Sequence, residues 1–252
     1  MQFFNDIPEI PETGAPAVER RSEQRFPVHP DFQLKAVLSF VGRDDTGAPM
    51  SGSRQGWNWK GRLVEFSGAG ARVQLGRGVR AEVGDACDLT LTVEDLEVLI
   101  RSRIMSIGEA ADGPVFGLQH TIEDEAVWND YHRLLEAVSL GAMLEPHFRE
   151  TKPDESGFLP EQYASEWGSK LTVWRSPADE SVVAFEFMLN DGVVRAAAGQ
   201  EAEYLACLSA THSRPASDIE QSRLRLLFQW VVPNLAPCVP DDVRGFLKTY
   251  AA

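Results

Sequence analysis

Three arginines stand close together early in the chain, in the run Arg20-Arg21-Ser22-Glu23-Gln24-Arg25. A guanidinium is planar and presents a fork of N–H donors. It pairs with a phosphate through two hydrogen bonds, lies flat on an aromatic ring, and matches the paired acceptors on a purine edge. On an extended segment, residues four apart face the same side, so Arg21 and Arg25 can grip one ligand together. Further along comes Glu65-Phe66-Ser67-Gly68-Ala69-Gly70. Its carboxylate can accept from the N–H donors of a base, and the Ser67 hydroxyl can donate or accept. Gly70 lets the backbone approach closely or take a positive φ. The formal net charge is −14. Such a surface repels nucleic-acid polymers and anionic lipid, so a phosphate-bearing ligand needs a local cluster of cations.

Other chemistries have less to work with. The three cysteines, Cys87, Cys207 and Cys238, are widely spaced and odd in number, which argues against a disulfide framework or a cysteine zinc site. The histidines (His29, His120, His132, His147, His212) show no metal-ligand spacing. There is neither a Gly-x-Ser-x-Gly elbow nor a phosphate-cradling Gly-rich loop, and no nucleophile has a base beside it. The expectation is a binding protein without a cofactor or metal, not an enzyme. No apolar run approaches the ~18 residues of a membrane span. The first residues have neither a basic leader nor an apolar core. A cytoplasmic setting without membrane insertion is expected.

The elements that must position these residues begin with a flexible arm, expected over residues 1–19. From Phe32 to Phe40 the pattern alternates, with Phe32, Leu34, Ala36 and Leu38 on one face. Gly42–Trp57 reads as a long loop. Further strands are expected at Lys60–Phe66, Ala71–Leu75, Asp88–Val93, Val98–Ile107 and Val115–His120, spaced as in a small antiparallel barrel. A helix follows, with Val127, Tyr131, Leu134, Leu135 and Val138 at helical spacing and Gly141 as its stop. The Pro- and charge-rich segment 145–158 reads as a boundary. Beyond it, Leu171–Arg175 is a strand, and Asn190-Asp191-Gly192 turns a hairpin between Val182–Leu189 and Val193–Ala198. Ser217-Asp218-Ile219-Glu220 is a capping box opening a helix whose Ile219, Leu224, Leu227 and Trp230 face a core and which Pro233 limits. A short helix through Phe246 ends the chain. This divides the chain into the arm, a unit over 20–144 and a smaller α+β domain over 155–252.

Residues from about 20 to 140 resemble a PilZ domain. The resemblance rests on Arg21-x-x-x-Arg25 with Arg20 before it, on Glu65-x-Ser67-x-x-Gly70, and on the strands flanking that second motif. Val83-Gly84-Asp85 and Gly117 add to it. The family has Asp or Asn where this chain has Glu65, which keeps a carboxylate one methylene further out. The resemblance implies a six-stranded antiparallel β-barrel with a closing helix, followed here by the α+β domain. It also implies binding of the second messenger cyclic di-GMP by Arg20, Arg21, Arg25, Glu65, Ser67 and Gly70. The signal would then pass to the C-terminal domain or to a downstream protein partner. The alternative is a degenerate PilZ domain serving as a nucleotide-independent interaction adaptor.

Overall fold

The computed structural model describes residues 24–40, 46, 57–166, 168–209 and 212–251. The expected arm over 1–19, Arg20, Arg21 and most of the loop expected over Gly42–Trp57 lie outside the described residues.

The first unit is a closed antiparallel barrel of six strands with one short strand added. Strand β1 (Phe26–Pro27) is the addition. The barrel strands are β2 (Lys35–Phe40), β3 (Trp57–Ser67), β4 (Gly70–Leu75), β5 (Ala86–Val93), β6 (Leu96–Ala110) and β7 (Gly113–Thr121). They pair in the order β3-β2-β5-β6-β7-β4, and β4 returns to β3 to close the cylinder. Alternation drives this: Leu38, Leu63, Val73, Leu89, Leu91, Ile100, Ile104 and Phe116 point inward and are fully buried, while polar residues between them face out. Trp59 stacks on Phe40 at the edge of this core (centroids 6.2 Å apart). Strand β3 is long enough to serve two neighbours on one edge. Its first half pairs with β2, and its end pairs with β1 through Phe26–Phe66 and Pro27–Glu65.

Helix α1 (Glu125–Ala142) closes the barrel. Asp124 caps it, its carboxylate accepting from the Ala126 and Val127 amides at 2.7 and 3.2 Å. Gly141, expected to stop the helix, lies inside it. A Cβ there would stand 2.8 Å from the carbonyl oxygens of Val231 and Asn234. The residue is small because another element passes close by, not because the backbone turns left-handed.

The second unit is a seven-stranded antiparallel meander, β8 (Glu145–Arg149), β9 (Leu159–Ala164), β10 (Lys170–Arg175), β11 (Val182–Leu189), β12 (Gly192–Ala197), β13 (Glu203–Ser209) and β14 (His212–Pro215). Helices α2 (Asp218–Val231) and α3 (Asp241–Lys248), joined through a 3-10 turn at Val232–Asn234, cover one face. The hairpin turn falls at Asn190-Asp191, with Asn190 at φ 52°. The capping box forms, the Ser217 amide donating to Glu220 at 2.8 Å. Ile219 departs from expectation. It is 83% exposed in the first turn, and the apolar face begins at Leu224.

Strand β9 buries Glu161 and Gln162. A buried polar network makes this tolerable: Arg175 Nε donates to Glu161 at 2.7 Å, Tyr163 donates to the same carboxylate, and Arg175 also binds Asp242 of α3.

Buried side chains run without a break from the barrel through α1 into the second unit. Polar bonds cross with them. Ser169 Oγ donates to the Leu140 carbonyl at 2.9 Å, the Ala236 amide donates to the Gly141 carbonyl at 2.9 Å, and Lys248 meets Asp31 at 2.7 Å.

Candidate functional site

The two sequence motifs meet at the edge where β1 joins β3. Arg25 Nη1 donates to Glu65 Oε1 at 2.8 Å. Arg72 Nη1 stands 3.6 Å from the same oxygen. Strand register explains the convergence. Glu65 lies opposite Pro27 on one side and Arg72 on the other. A bulge between Leu63 and Glu65 makes this possible. By strict alternation Glu65 would share the inward face of Leu63. The extra residue turns Glu65 outward and lets Phe66 fill the core.

The turn that follows is fixed from behind. Ser67 pairs with Gly70 across a two-residue loop. The Ser67 hydroxyl is buried and faces the Gly70 carbonyl at 3.5 Å. The Tyr131 hydroxyl of α1 donates to the Ser67 carbonyl at 2.6 Å, and the His120 amide donates to the Ala69 carbonyl at 2.9 Å. Gly70 serves close approach: a Cβ would stand 2.3 Å from the Leu118 carbonyl oxygen. The turn therefore presents its backbone outward from a rigid seat on β7 and α1.

Of the sequence-predicted residues, the structure brings Arg25 and Glu65 together and sets Ser67 and Gly70 in the adjoining turn. Sequence reasoning missed Arg72. The signal was there: counting back from a two-residue loop at Gly68-Ala69 pairs 67 with 70, 66 with 71 and 65 with 72. Arg62 extends the same outer face, donating to Gln74 at 2.9 Å. Two guanidinia around one carboxylate, with Arg62 further along the same face, make a positive patch on an acidic protein, suited to an anion with several acceptor oxygens. The Arg25 and Glu65 side chains are 32% and 25% exposed. An ion pair this wet contributes at most ~1 kcal/mol, so an anionic ligand can displace it.

On the arm's opposite flank lies a groove of about 480 Å³, lined by Gln24, Phe26, Gly68, Trp128, His132 and Asn190 among others. The segment from Gln24 to Pro27 thus stands between the arginine patch and α1.

Burial first, then Asp88 and Asp85, pushes the Cys87 thiol up to about 12, where it is inert at neutral pH. Among the described residues no cluster of His, Cys, Asp or Glu could hold a metal ion. Among them, too, no helix is long and apolar enough to cross a membrane.

A closed six-stranded barrel with Arg25 held against Glu65 near the end of β3 is the architecture expected of a PilZ-type domain. Residues 19–137 match the PilZ domain family, and this part of the chain is a PilZ domain. Among solved structures the chain is similar to the PilZ domain of CeSA from a cellulose-synthesizing bacterium (14% identity, 44% of this chain, 93% of that one, TM-score 0.32). It is also similar to the PilZ domain of YcgR from Escherichia coli, solved with c-di-GMP (12% identity, 46% of this chain, 88% of that one, TM-score 0.32). No curated protein matches it.

Proposed function

We propose that this protein is a cytoplasmic receptor for cyclic di-GMP, bound between the arm (Arg20, Arg21, Arg25) and the barrel turn that runs from Glu65 through Ser67 to Gly70. PilZ domains are known receptors of this nucleotide. The observation that carries the reading is the meeting of the two motifs: Arg25 reaches Glu65 at 2.8 Å, beside the Ser67–Gly70 turn. An arginine fork there suits both the O6/N7 edge of guanine and a phosphate diester. The role is binding and relay rather than catalysis, since ligand contacts that differ between two arm positions suffice to shift a population.

The relay runs through two connections. The arm continues from Arg25 through Phe26 and Pro27 to His29, whose amide donates to Asn234 of the second unit at 3.0 Å. Helix α1 touches the motif through Tyr131 and the second unit through Leu140 and Gly141. A ligand that repositions the arm changes both, and so reaches the second unit or a partner protein bound there.

One observation favours the rival reading, an adaptor that binds no nucleotide. Glu65 already occupies Arg25, and the Ser67 hydroxyl is buried. Calorimetry decides. Wild type should bind cyclic di-GMP, and Arg25→Ala should lose about one to two decades in affinity, equivalent to about 1–3 kcal/mol for a bidentate contact. No heat from wild type at high micromolar ligand promotes the adaptor.

A further inference from the structure

We infer that Arg72 of β4 is an anion-gripping arginine of this site and that Glu65 is its built-in competitor. In the empty protein one carboxylate occupies both Arg25 and Arg72, and an incoming phosphate diester takes its place between them. This rests on the cyclic di-GMP reading above.

Three features of the structure lead here. The first is convergence. Arg25 arrives from the arm and Arg72 from the barrel, on opposite flanks of β3, and both point at the single oxygen Oε1 of Glu65, at 2.8 and 3.6 Å. The second is chemical likeness. A carboxylate and a phosphate diester are both anions with two terminal oxygens, and both accept bidentate donation from a guanidinium. A place where two arginines share one carboxylate oxygen is a place where they can share one phosphate.

The third is room. Arg72 lies opposite Gly117 on its other side, so no side chain rises from β7 to crowd it. A short side chain, Ser106 of β6, fills the space a Cβ at Gly117 would take, its Oγ 2.3 Å from that point. Arg72 is 44% exposed, with donors left over for a second acceptor. Glu65, pinned by the bulge, cannot leave the site when the ligand arrives. It can only swing off its two arginines, and ligand affinity is lowered by what those contacts contribute.

The experiment is calorimetric titration of cyclic di-GMP into the full chain as wild type, Arg72→Ala, Arg72→Lys and Glu65→Gln, with a thermal melt of each to verify folding. Arg72→Ala should weaken binding at least tenfold with an unchanged melt. Arg72→Lys should recover only part of that, because an ammonium keeps the charge and loses the fork. Glu65→Gln should tighten binding threefold or more. Binding by Glu65→Gln where wild type gives no heat also supports the competitor role. Wild-type binding with Arg72→Ala unchanged overturns the role of Arg72, and weaker binding by Glu65→Gln overturns that of Glu65. In both cases the receptor reading stands. Silence from wild type and Glu65→Gln alike overturns both.

Discussion

The backbone N–H of His29 donates to the buried side-chain oxygen of Asn234 across 3.0 Å, which ties the barrel's arm directly to the second unit. The Asn234 amide nitrogen is satisfied in turn by the Trp230 carbonyl at 2.9 Å. Removing this side chain leaves two partners unpaired at a packed junction. Asn234→Ala should cost about 1–3 kcal/mol, the scale of a buried hydrogen-bond loss. Because the apolar core is continuous across the junction, urea should unfold wild type in one transition whose m-value reflects the whole chain. Two resolved transitions would mean that these contacts do not couple the units.

The second prediction concerns the floor of the site. At Gly70 a methyl group would stand 2.3 Å from the Leu118 carbonyl oxygen, and backbone on both sides leaves little to yield. Gly70→Ala must part β4 from β7 or distort the turn. The expected cost is about 1–3 kcal/mol in chemical denaturation, as for other overpacked sites. A neutral result would show that the two strands separate easily.

A third outcome can be read by fluorescence. Trp128 is 40% exposed and lines the groove whose far wall is made by Gln24 and Phe26. A ligand that moves the arm alters the surroundings of this indole. Cyclic di-GMP should therefore change tryptophan emission in wild type, and Trp128→Phe should lose most of that change while still binding in calorimetry. An unchanged signal in wild type that nonetheless binds would mean the arm stays in place.

How far the sequence foretold this arrangement depended on whether a residue's role was local. Most of the barrel strands were legible because they alternate between a buried and a solvated face, as β5 does with Leu89 and Leu91 inward. Strands β8 and β14 were not, since every residue in them is exposed and Pro146 and Pro215 sit in them as on edge strands. Strand β9 hid for the opposite reason: its Glu161 and Gln162 are buried, and Arg175 and Thr172, which bond them, come from the next strand. In the site, Arg25 and Glu65 were legible as motif residues. That they would bond each other was not, because the contact depends on a bulge that local propensity does not encode. Gly141 misled for a similar reason, its smallness answering to a 3-10 turn distant in sequence.

The last prediction concerns pH. His120 sits behind the motif turn, packed edge-on to Tyr131 at 5.3 Å, with Nδ1 2.8 Å from Ser102 Oγ. Its other ring nitrogen is buried without a partner. Burial lowers its pKa from 6.5 to about 4, because the imidazolium would give up its water without gaining a carboxylate. The unfolded chain therefore takes up a proton near pH 6.5 that the folded protein refuses until about pH 4. Above pH 6.5 both states are neutral at this position, and stability is independent of pH. Between 6.5 and 4 the unfolded state binds more protons, so stability falls as pH falls. The loss from this one group should be about 2 kcal/mol by pH 5. Urea unfolding at pH 7.5 and pH 5 should show it, and His120→Gln, neutral throughout, should reduce the difference between the two pH values by about that amount. If the variant keeps the full pH dependence, the loss comes from elsewhere and His120 is already protonated in the fold. If wild type is equally stable at both values, the ring finds a compensating partner on charging, and the seat of the motif turn is more polar than its neighbours imply.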